Sequence, residues 1–326
     1  MKAIVYHNYG SPDRLKLAEV EKPIPTDDEI LIKIHAVSVN RSDWEGLTGK
    51  PLYARIRGLL RPRHAILGSD IAGRVETAGK NISQFRPGDD VFGEIPGYQG
   101  GFAEYVCAPE KTLARKPASL TFAQAAAIPQ AGVIALQGIR EKGQVQPGQK
   151  VLINGAGGGA GTFAVQLAKL YGAEVTGVDN TRKLEFMRSL GADHVIDYTR
   201  ADFTKDGKQY DLILDLIAYR SVFAYQRALA PNGSYFCVGG SAATLFQVLL
   251  LGPRIRRATG KKIRLLVVQP NRKDLVFITE LCEAGKVVPV IDRRFLLSEV
   301  PQAIRYLGEG GARGKIVITL EQTSLP

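Results

Sequence analysis

The sequence predicts an α/β protein with a doubly wound parallel sheet and a second, β-rich domain. Three observations carry that expectation. The stretch Lys150–Asp179, KVLINGAGGGAGTFAVQLAKLYGAEVTGVD, reads strand, glycine turn, helix, strand. From Thr121 onward, strand and helix patterns alternate, and six strand candidates are joined by mostly helical crossovers, as in a parallel sheet. Residues 1–120 differ: short apolar runs lie between turn signals, with no helical period of useful length. A compact antiparallel barrel is expected there.

Taken in order, strands are expected at Lys2–Tyr6, Glu29–Val39, Ile71–Ala78, Asp90–Phe92 and Gly101–Cys107. Tyr9–Pro12, Pro23–Asp28, Arg86–Asp89 and Pro96–Gly101 supply turns between them. Helical spacing begins at Thr121–Ile128 with Thr121 as N-cap, breaks at Pro129 and resumes over Ala131–Arg140. After the strand Lys150–Asn154, the residues Ala160, Phe163, Ala164, Leu167 and Ala168 repeat at helical spacing and form one buried stripe, which Gly172 ends. Strand Glu174–Val178, helix Arg182–Leu190 and strands His194–Asp197 and Asp211–Asp215 follow. Next come helix Ser221–Leu229 and strands Ser234–Val238 and Ile263–Val268. Helix Asp274–Glu283, strand Val287–Asp292, helix Ser298–Leu307 and strand Lys315–Thr319 come after the sixth strand, so they return to the first domain. The expected domains are 1–121 and 122–270, with 271–326 rejoining the first.

Composition bounds the function. A chain of 326 residues has room for about two domains. Its 45% hydrophobic and 23% charged residues are ordinary for a soluble globular enzyme. No basic–apolar–small-residue leader follows Met1, and no apolar run approaches the ~20 residues of a membrane span. Cys107, Cys237 and Cys282 lie far apart without a CxxC, which suits a reducing, cytoplasmic interior. The net charge of +11 is compatible with nucleic acid, an anionic membrane surface or an acidic ligand. The cations are spread over Arg55–Arg63, Arg254–Arg264, Arg293, Arg294, Arg313 and Lys315, as solvated loops or as a positive field around an anionic cofactor. No aromatic residues interleave with them in an RNA-binding pattern, so nucleic acid is not an expected partner.

The glycine turn has the spacing AxGxxG: Ala156, Gly158 and Gly161, with Gly159 inside it. Glycine lets the backbone approach a pyrophosphate, and the helix N-terminus offers free N–H groups and the positive end of its dipole. Asp179 ends the next strand, where a carboxylate takes the adenosine ribose 2′-OH and selects NAD. Asn180–Thr181–Arg182–Lys183 follows and supplies the cations that a 2′-phosphate wants. The four histidines, His7, His35, His64 and His194, have no metal-ligand spacing.

GSDIAGRVETAG, FRPGDDVFG, GGFAEYV, AQAAAIPQAG, VLINGAGGGAG, SLGADHVIDY, DLILD and ARGKIVIT occur in an order that resembles the zinc-independent quinone oxidoreductase branch of the medium-chain dehydrogenase/reductase superfamily. The resemblance spans essentially the whole chain. It implies a GroES-like catalytic domain, a Rossmann domain and an active site between them. It also implies hydride transfer from a nicotinamide to quinones or α,β-unsaturated carbonyls, and a homodimer. The catalytic zinc ligands of related alcohol dehydrogenases fall on Asn40, Ser69 and a position near Gly132, and the four-cysteine zinc loop is missing. No zinc is therefore expected. The resemblance puts Asn40 beside the nicotinamide and makes Tyr53 the proton-donor candidate, with Tyr98 as a weaker one. Asp43 is read as holding the Asn40 loop. Tyr198 matches a tyrosine that touches the 2′-phosphate in relatives, Lys315 is within expected reach of the cofactor, and Gly239 joins the cofactor set. NADPH is the expected cofactor, with NADH open because of Asp179. The alternative class rests on Leu245–Leu251, an apolar run ending at Gly252–Pro253 before a basic stretch. It is a membrane-associated or interaction protein with a vestigial or sensory NADPH site; peripheral membrane contact is not the favoured reading.

Overall fold

In the computed structural model of the protein, residues 1–97 and 99–320 are described. They form two units. The first takes Met1–Gln130, Pro270–Ala284 and the stretch from Pro289 on; the second takes Ala131–Gln269 and Gly285–Val288.

The first unit begins with β1 (Lys2–Val5) paired antiparallel to β2 (Lys16–Glu19). The long strand β3 (Glu29–Val39) buries Ile30, Leu31, Ile32, Ile34, Val37 and Val39. Its apolar residues do not simply alternate, because both of its faces are covered. Helix α1 (Arg41–Thr48) follows at once, capped by Asn40 and closed by Gly49 in the left-handed conformation. Then come β4 (Asp70–Ala78), β5 (Asp90–Glu94), β6 (Tyr105–Pro109), β7 (Leu113–Arg115) and helix α2 (Phe122–Ala126).

Helix α3 (Pro129–Leu136) begins in the first unit and enters the second at Ala131, where it leads to β8 (Lys150–Asn154), α4 (Gly159–Leu170), β9 (Glu174–Asp179), α5 (Leu184–Ser189) and β10 (His194–Asp197). The second half runs β11 (Tyr210–Asp215), α6 (Val222–Ala228), β12 (Leu229–Cys237), α7 (Ala242–Thr259) and β13 (Lys262–Leu265). The strand order β10-β9-β8-β11-β12-β13, all parallel, is the doubly wound Rossmann order. The order reverses between β8 and β11, the position at which such sheets bind ligands.

The chain then returns through α8 (Arg272–Glu283), β14 (Ile291–Leu296), α9 (Val300–Gly308) and β15 (Lys315–Thr319). The main sheet of the first unit runs β14-β15-β3-β4-β5-β7, with β6 also on β3; only the β14–β15 pair is parallel. Its core gathers Ile32, Val37, Leu47, Ile71, Phe102 and Ile316.

Several expectations need correction. Helix α1 lies in the region read as lacking helix. It is only eight residues long, so its period is short, but the Asn40–Asp43 capping spacing was visible. Helix α2 belongs to the first unit, not the second: Ala123, Ala125 and Ala126 are buried, and the Phe122 ring stacks on His35 at 4.3 Å. The helical stretch is interrupted at residues 127–128 as expected, and Pro129 itself is the first residue of the next helix rather than a residue between the two, as suits a residue without an N–H. The strand expected at Val287–Asp292 is β14, displaced toward the C-terminus, because its pairing with β15 starts at Ile291. The apolar run Leu245–Leu251 is part of α7, which continues through Gly252 and Pro253. A Cβ at Gly252 would lie 2.4 Å from the Ile263 carbonyl oxygen, so the glycine lets α7 close on β13. Among the described residues, no helix is long and apolar enough to cross a membrane.

Gly308, at the end of α9, is where α1 comes closest. A Cβ there would sit 2.0 Å from the Trp44 ring. Gly308→Ala should destabilise the first unit by about 1–3 kcal/mol through overpacking, read as a lower midpoint of thermal unfolding. An unchanged midpoint would mean that the α1–α9 contact has slack.

Candidate active site

The glycine turn of the second unit has the local geometry that a phosphate-carrying ligand needs. Gly155 has φ +85°, which sends the chain sharply out of β8. Gly158 is the N-cap of α4 and provides no side-chain cap, so the first N–H groups of the helix remain available. A Cβ on Gly161 would come within 2.2 Å of the Gly155 carbonyl oxygen, so only glycine allows this helix–turn approach. A Cβ on Gly158 would come 3.3 Å from the same oxygen, a tight contact but a milder one than at Gly161. Ala156 is fully buried and packs the base of the turn. Gly239, just past β12, faces room: its nearest prospective contact is 3.7 Å away. These features fit a dinucleotide.

Asp179 does more than end β9. It is 5% exposed. Its Oδ2 accepts the Gly157 N–H at 3.1 Å, and its Oδ1 accepts Asn180 N–H at 2.9 Å. The Lys183 ammonium lies 3.4 Å from the carboxylate, itself only 6% exposed. Lys183, expected among the cations for a 2′-phosphate, is thus turned inward: its stem folds over Gly157 and its charge is paired with that of Asp179. Arg182 stays exposed, with its backbone N–H held by Asn180 Oδ1 at 3.1 Å. Tyr198 is 51% exposed, and its backbone N–H donates to the Asp179 carbonyl at 3.1 Å. Arg182 and Tyr198 thus flank the end of β9.

The first unit holds the other group of candidates. Asn40 is 6% exposed at the end of β3. Its N–H donates to Asp43 Oδ2 at 2.7 Å, while Asp43 Oδ1 accepts the Gly68 N–H at 2.9 Å. Asp43 ties the Asn40 loop to the segment before β4, the structural role its position had indicated. Burial pushes its carboxyl up to about 7, against the two backbone donors. Lys315, expected to reach the cofactor, lies at the start of β15 with its Nζ 2.5 Å from Asn40 Oδ1. It is buried, and Asp70 Oδ2 is 3.6 Å away. Asp70 also accepts from Ser38 Oγ and from the Gln130 N–H. Burial pushes Asp70 up and Lys315 down, and their mutual attraction offsets both shifts. Glu94, opposite Asp70 on β5, accepts from Gln130 Nε2 at 3.0 Å and is pushed up to about 7 by burial and by the Asp70 charge. Sequence reasoning missed Asp70 and Glu94. Asp70 is the acid of the GSD motif; no sequence signal marked Glu94.

Asn40 and Ser69 stand at two of the metal-ligand positions, and Ser69 is fully buried beside Asp70. Among the described residues, no group of three or more His, Cys, Asp or Glu side chains could hold a metal ion. The donor set does not fit a catalytic zinc.

Tyr53 is 38% exposed on a short 3₁₀ turn, Leu52–Arg57. It lines a cavity of about 240 Å³ with Tyr6, Tyr9, Ser42, Glu45 and His64. Burial raises the Glu45 carboxyl. The cavity is large enough for a small ring and has hydroxyl groups on its wall. Tyr98 lies outside the described residues.

Comparison with known proteins agrees with this picture. Residues 26–118 match the alcohol dehydrogenase GroES-like domain, and residues 190–318 match the zinc-binding dehydrogenase family. The chain is 34% identical to a 2-methylene-furan-3-one reductase of Solanum lycopersicum, over 98% of this chain and 79% of that one. It is 32% identical to a chloroplast envelope quinone oxidoreductase homolog of Arabidopsis thaliana, over 98% of both. The solved quinone oxidoreductase from Coxiella burnetii superposes with a TM-score of 0.87 at 31% identity, over 98% of this chain and 99% of that one.

Two expectations follow from the geometry. Gly158→Val should keep the fold and lose dinucleotide affinity, whereas Gly161→Val should disturb the turn itself; circular dichroism and a cofactor titration on both variants separate these outcomes. The second concerns Glu94. Its folded carboxyl, near 7, holds its proton where the unfolded chain, near 4.5, has lost it. The stability it contributes is complete below about pH 4.5 and is lost as pH rises through about 7. Thermal midpoints should fall across that window, and Glu94→Gln should flatten the fall in part, since Asp43 shifts the same way. An identical slope in the variant would contradict the burial argument.

Proposed function

Since the chain belongs to the zinc-independent quinone oxidoreductase branch of the medium-chain dehydrogenase/reductase superfamily, we propose that it passes hydride from NADPH to quinones or α,β-unsaturated carbonyls without a metal. The observation that carries this is Asn40: an amide, not a thiolate, occupies the first ligand position, and among the described residues its buried Nδ2 makes no hydrogen bond of good geometry.

When bound, the reduced nicotinamide supplies the hydride. The chain's residues then have three tasks. The turn at Gly158 and Gly161, with the N–H groups of α4, holds the pyrophosphate. Asn40 stabilises the oxygen that gains negative charge as hydride reaches a conjugated carbon. A single preorganised donor of this kind is worth about 3–4 kcal/mol, enough for a delocalised enolate or hydroquinone but small beside what a simple alkoxide needs. The Tyr53 hydroxyl, at the cavity wall, supplies the proton, with solvent as the substitute.

NADPH is favoured over NADH by the state of Asp179. Its oxygens are taken by the turn and by Asn180, and Lys183 cancels its charge, so it is poorly placed to accept a ribose hydroxyl. Arg182 and Tyr198 remain for a 2′-phosphate. The reading includes a cytoplasmic homodimer. The cysteines are free thiols, and among the described residues β13 leaves one edge of its sheet unpaired.

The test is NADPH oxidation by chelator-treated protein with a 1,4-quinone, an enone and ethanol in parallel. Turnover is expected with the first two. Activity on ethanol alone, or activity restored only by zinc, overturns the reading. Arg182→Ala should raise KM for NADPH about tenfold or more and leave NADH nearly unchanged, since a charge-assisted hydrogen bond is worth about 1.5–3 kcal/mol. Equal effects on both would leave Arg182 without a phosphate.

A further inference from the structure

Lys315 enters the Asn40 site by strand register. Ile316 on β15 pairs with Val39 on β3, so the residue before Ile316 comes level with Asn40. The amide of Asn40 has two ends. Its Oδ1 is taken by the Lys315 ammonium at 2.5 Å. Among the described residues its Nδ2 makes no hydrogen bond of good geometry; its one polar neighbour is the Asp70 carboxylate, a loose hydrogen-bonding contact that favours the ionised acid and that a substrate oxygen would displace. A buried amide N–H₂ left without a partner is costly and therefore rare.

We infer that Lys315 is a positioning residue: its ammonium holds Oδ1 and thereby commits Asn40 to act through Nδ2, as a hydrogen-bond donor. The inference rests on the proposed quinone and enone chemistry. The reversed amide would put its carbonyl against the ammonium's competitor, the developing oxyanion, and repel it. An ammonium can only donate, so the orientation has one solution. Its positive charge also withdraws electrons through the amide and makes the N–H₂ a stronger donor. Asp70, backed by Ser38 and the Gln130 N–H, keeps the ammonium in place. This assigns Lys315 to the reacting end of the substrate and not to the cofactor phosphates.

The test is a double-mutant cycle with a quinone acceptor. Lys315→Met should lower kcat about tenfold or more and leave KM for NADPH within about twofold. Asn40→Ala should then cost little further in the Lys315→Met background. Because Lys315→Met leaves Asp70 without its counter-charge, the pair Lys315→Met with Asp70→Asn serves as the folding control and should show the same loss of kcat. A raised KM for NADPH at constant kcat, or additive losses in the cycle, overturns the inference. A second readout needs no turnover: the Asn40 side-chain amide resonances, assigned by their loss in Asn40→Ala, should shift in Lys315→Met. If wild-type protein oxidises NADPH with no quinone or enone, the functional reading fails, and unshifted Asn40 resonances would sink the Lys315 inference separately.

Discussion

The Lys315 ammonium is 2% exposed and meets a carboxylate, Asp70, that is fully buried. Taking two such charges out of water costs several kcal/mol for each ion, and their attraction offsets this only if further hydrogen bonds complete the arrangement. Much of the first unit supplies those bonds. β15 carries the lysine, β4 the aspartate, β3 the Ser38 hydroxyl and the Asn40 amide, and the start of α3 the Gln130 N–H. The order of the main sheet makes this possible, because β3 lies between β15 and β4. An apolar replacement of the same size would be cheaper for stability. A polar solution at this cost is best understood through what it does to Asn40.

Much of the fold was legible. The Rossmann half gave clear signals because its strands are apolar runs set between periodic helices, and the glycine turn lies between the first such pair. What escaped has particular causes. Helix α1 buries little beyond Leu47, so its apolar stripe is too short to register, although its caps are plain. In α7, Gly252 and Pro253 look like a stop signal. Packing overrode that propensity: Val248 and Ile255 are buried on one side of the helix, and Gly252 lets its backbone close on β13.

The candidate site was legible in part. The glycines and Asn40 carry their chemistry in residue type and local order. Lys315 and Asp70 do not, since their roles come from pairing across the sheet between residues distant in sequence. Lys183 shows the same limit at short range. Four residues from Asp179, it could have been a solvated helix residue; only the fold of the turn decides that its stem is buried and its charge spent on Asp179. The carboxylate whose presence in the sequence argued for NADH is thereby paired with a cation from its own turn.

The position of β15 in its sheet has a consequence for biosynthesis. β15 lies inside the sheet, between β14 and β3, yet it emerges from the ribosome long after Gln130. At ~5–20 residues per second, the interval is about 10–40 s. During that time β3 presents an apolar edge, and the buried aspartate has no cation. The second unit, almost unbroken from Ala131 to Gln269, can complete its own sheet in the meantime. A nascent chain can therefore pass through a stage in which the second unit is complete while β3 of the first still lacks one of its neighbours.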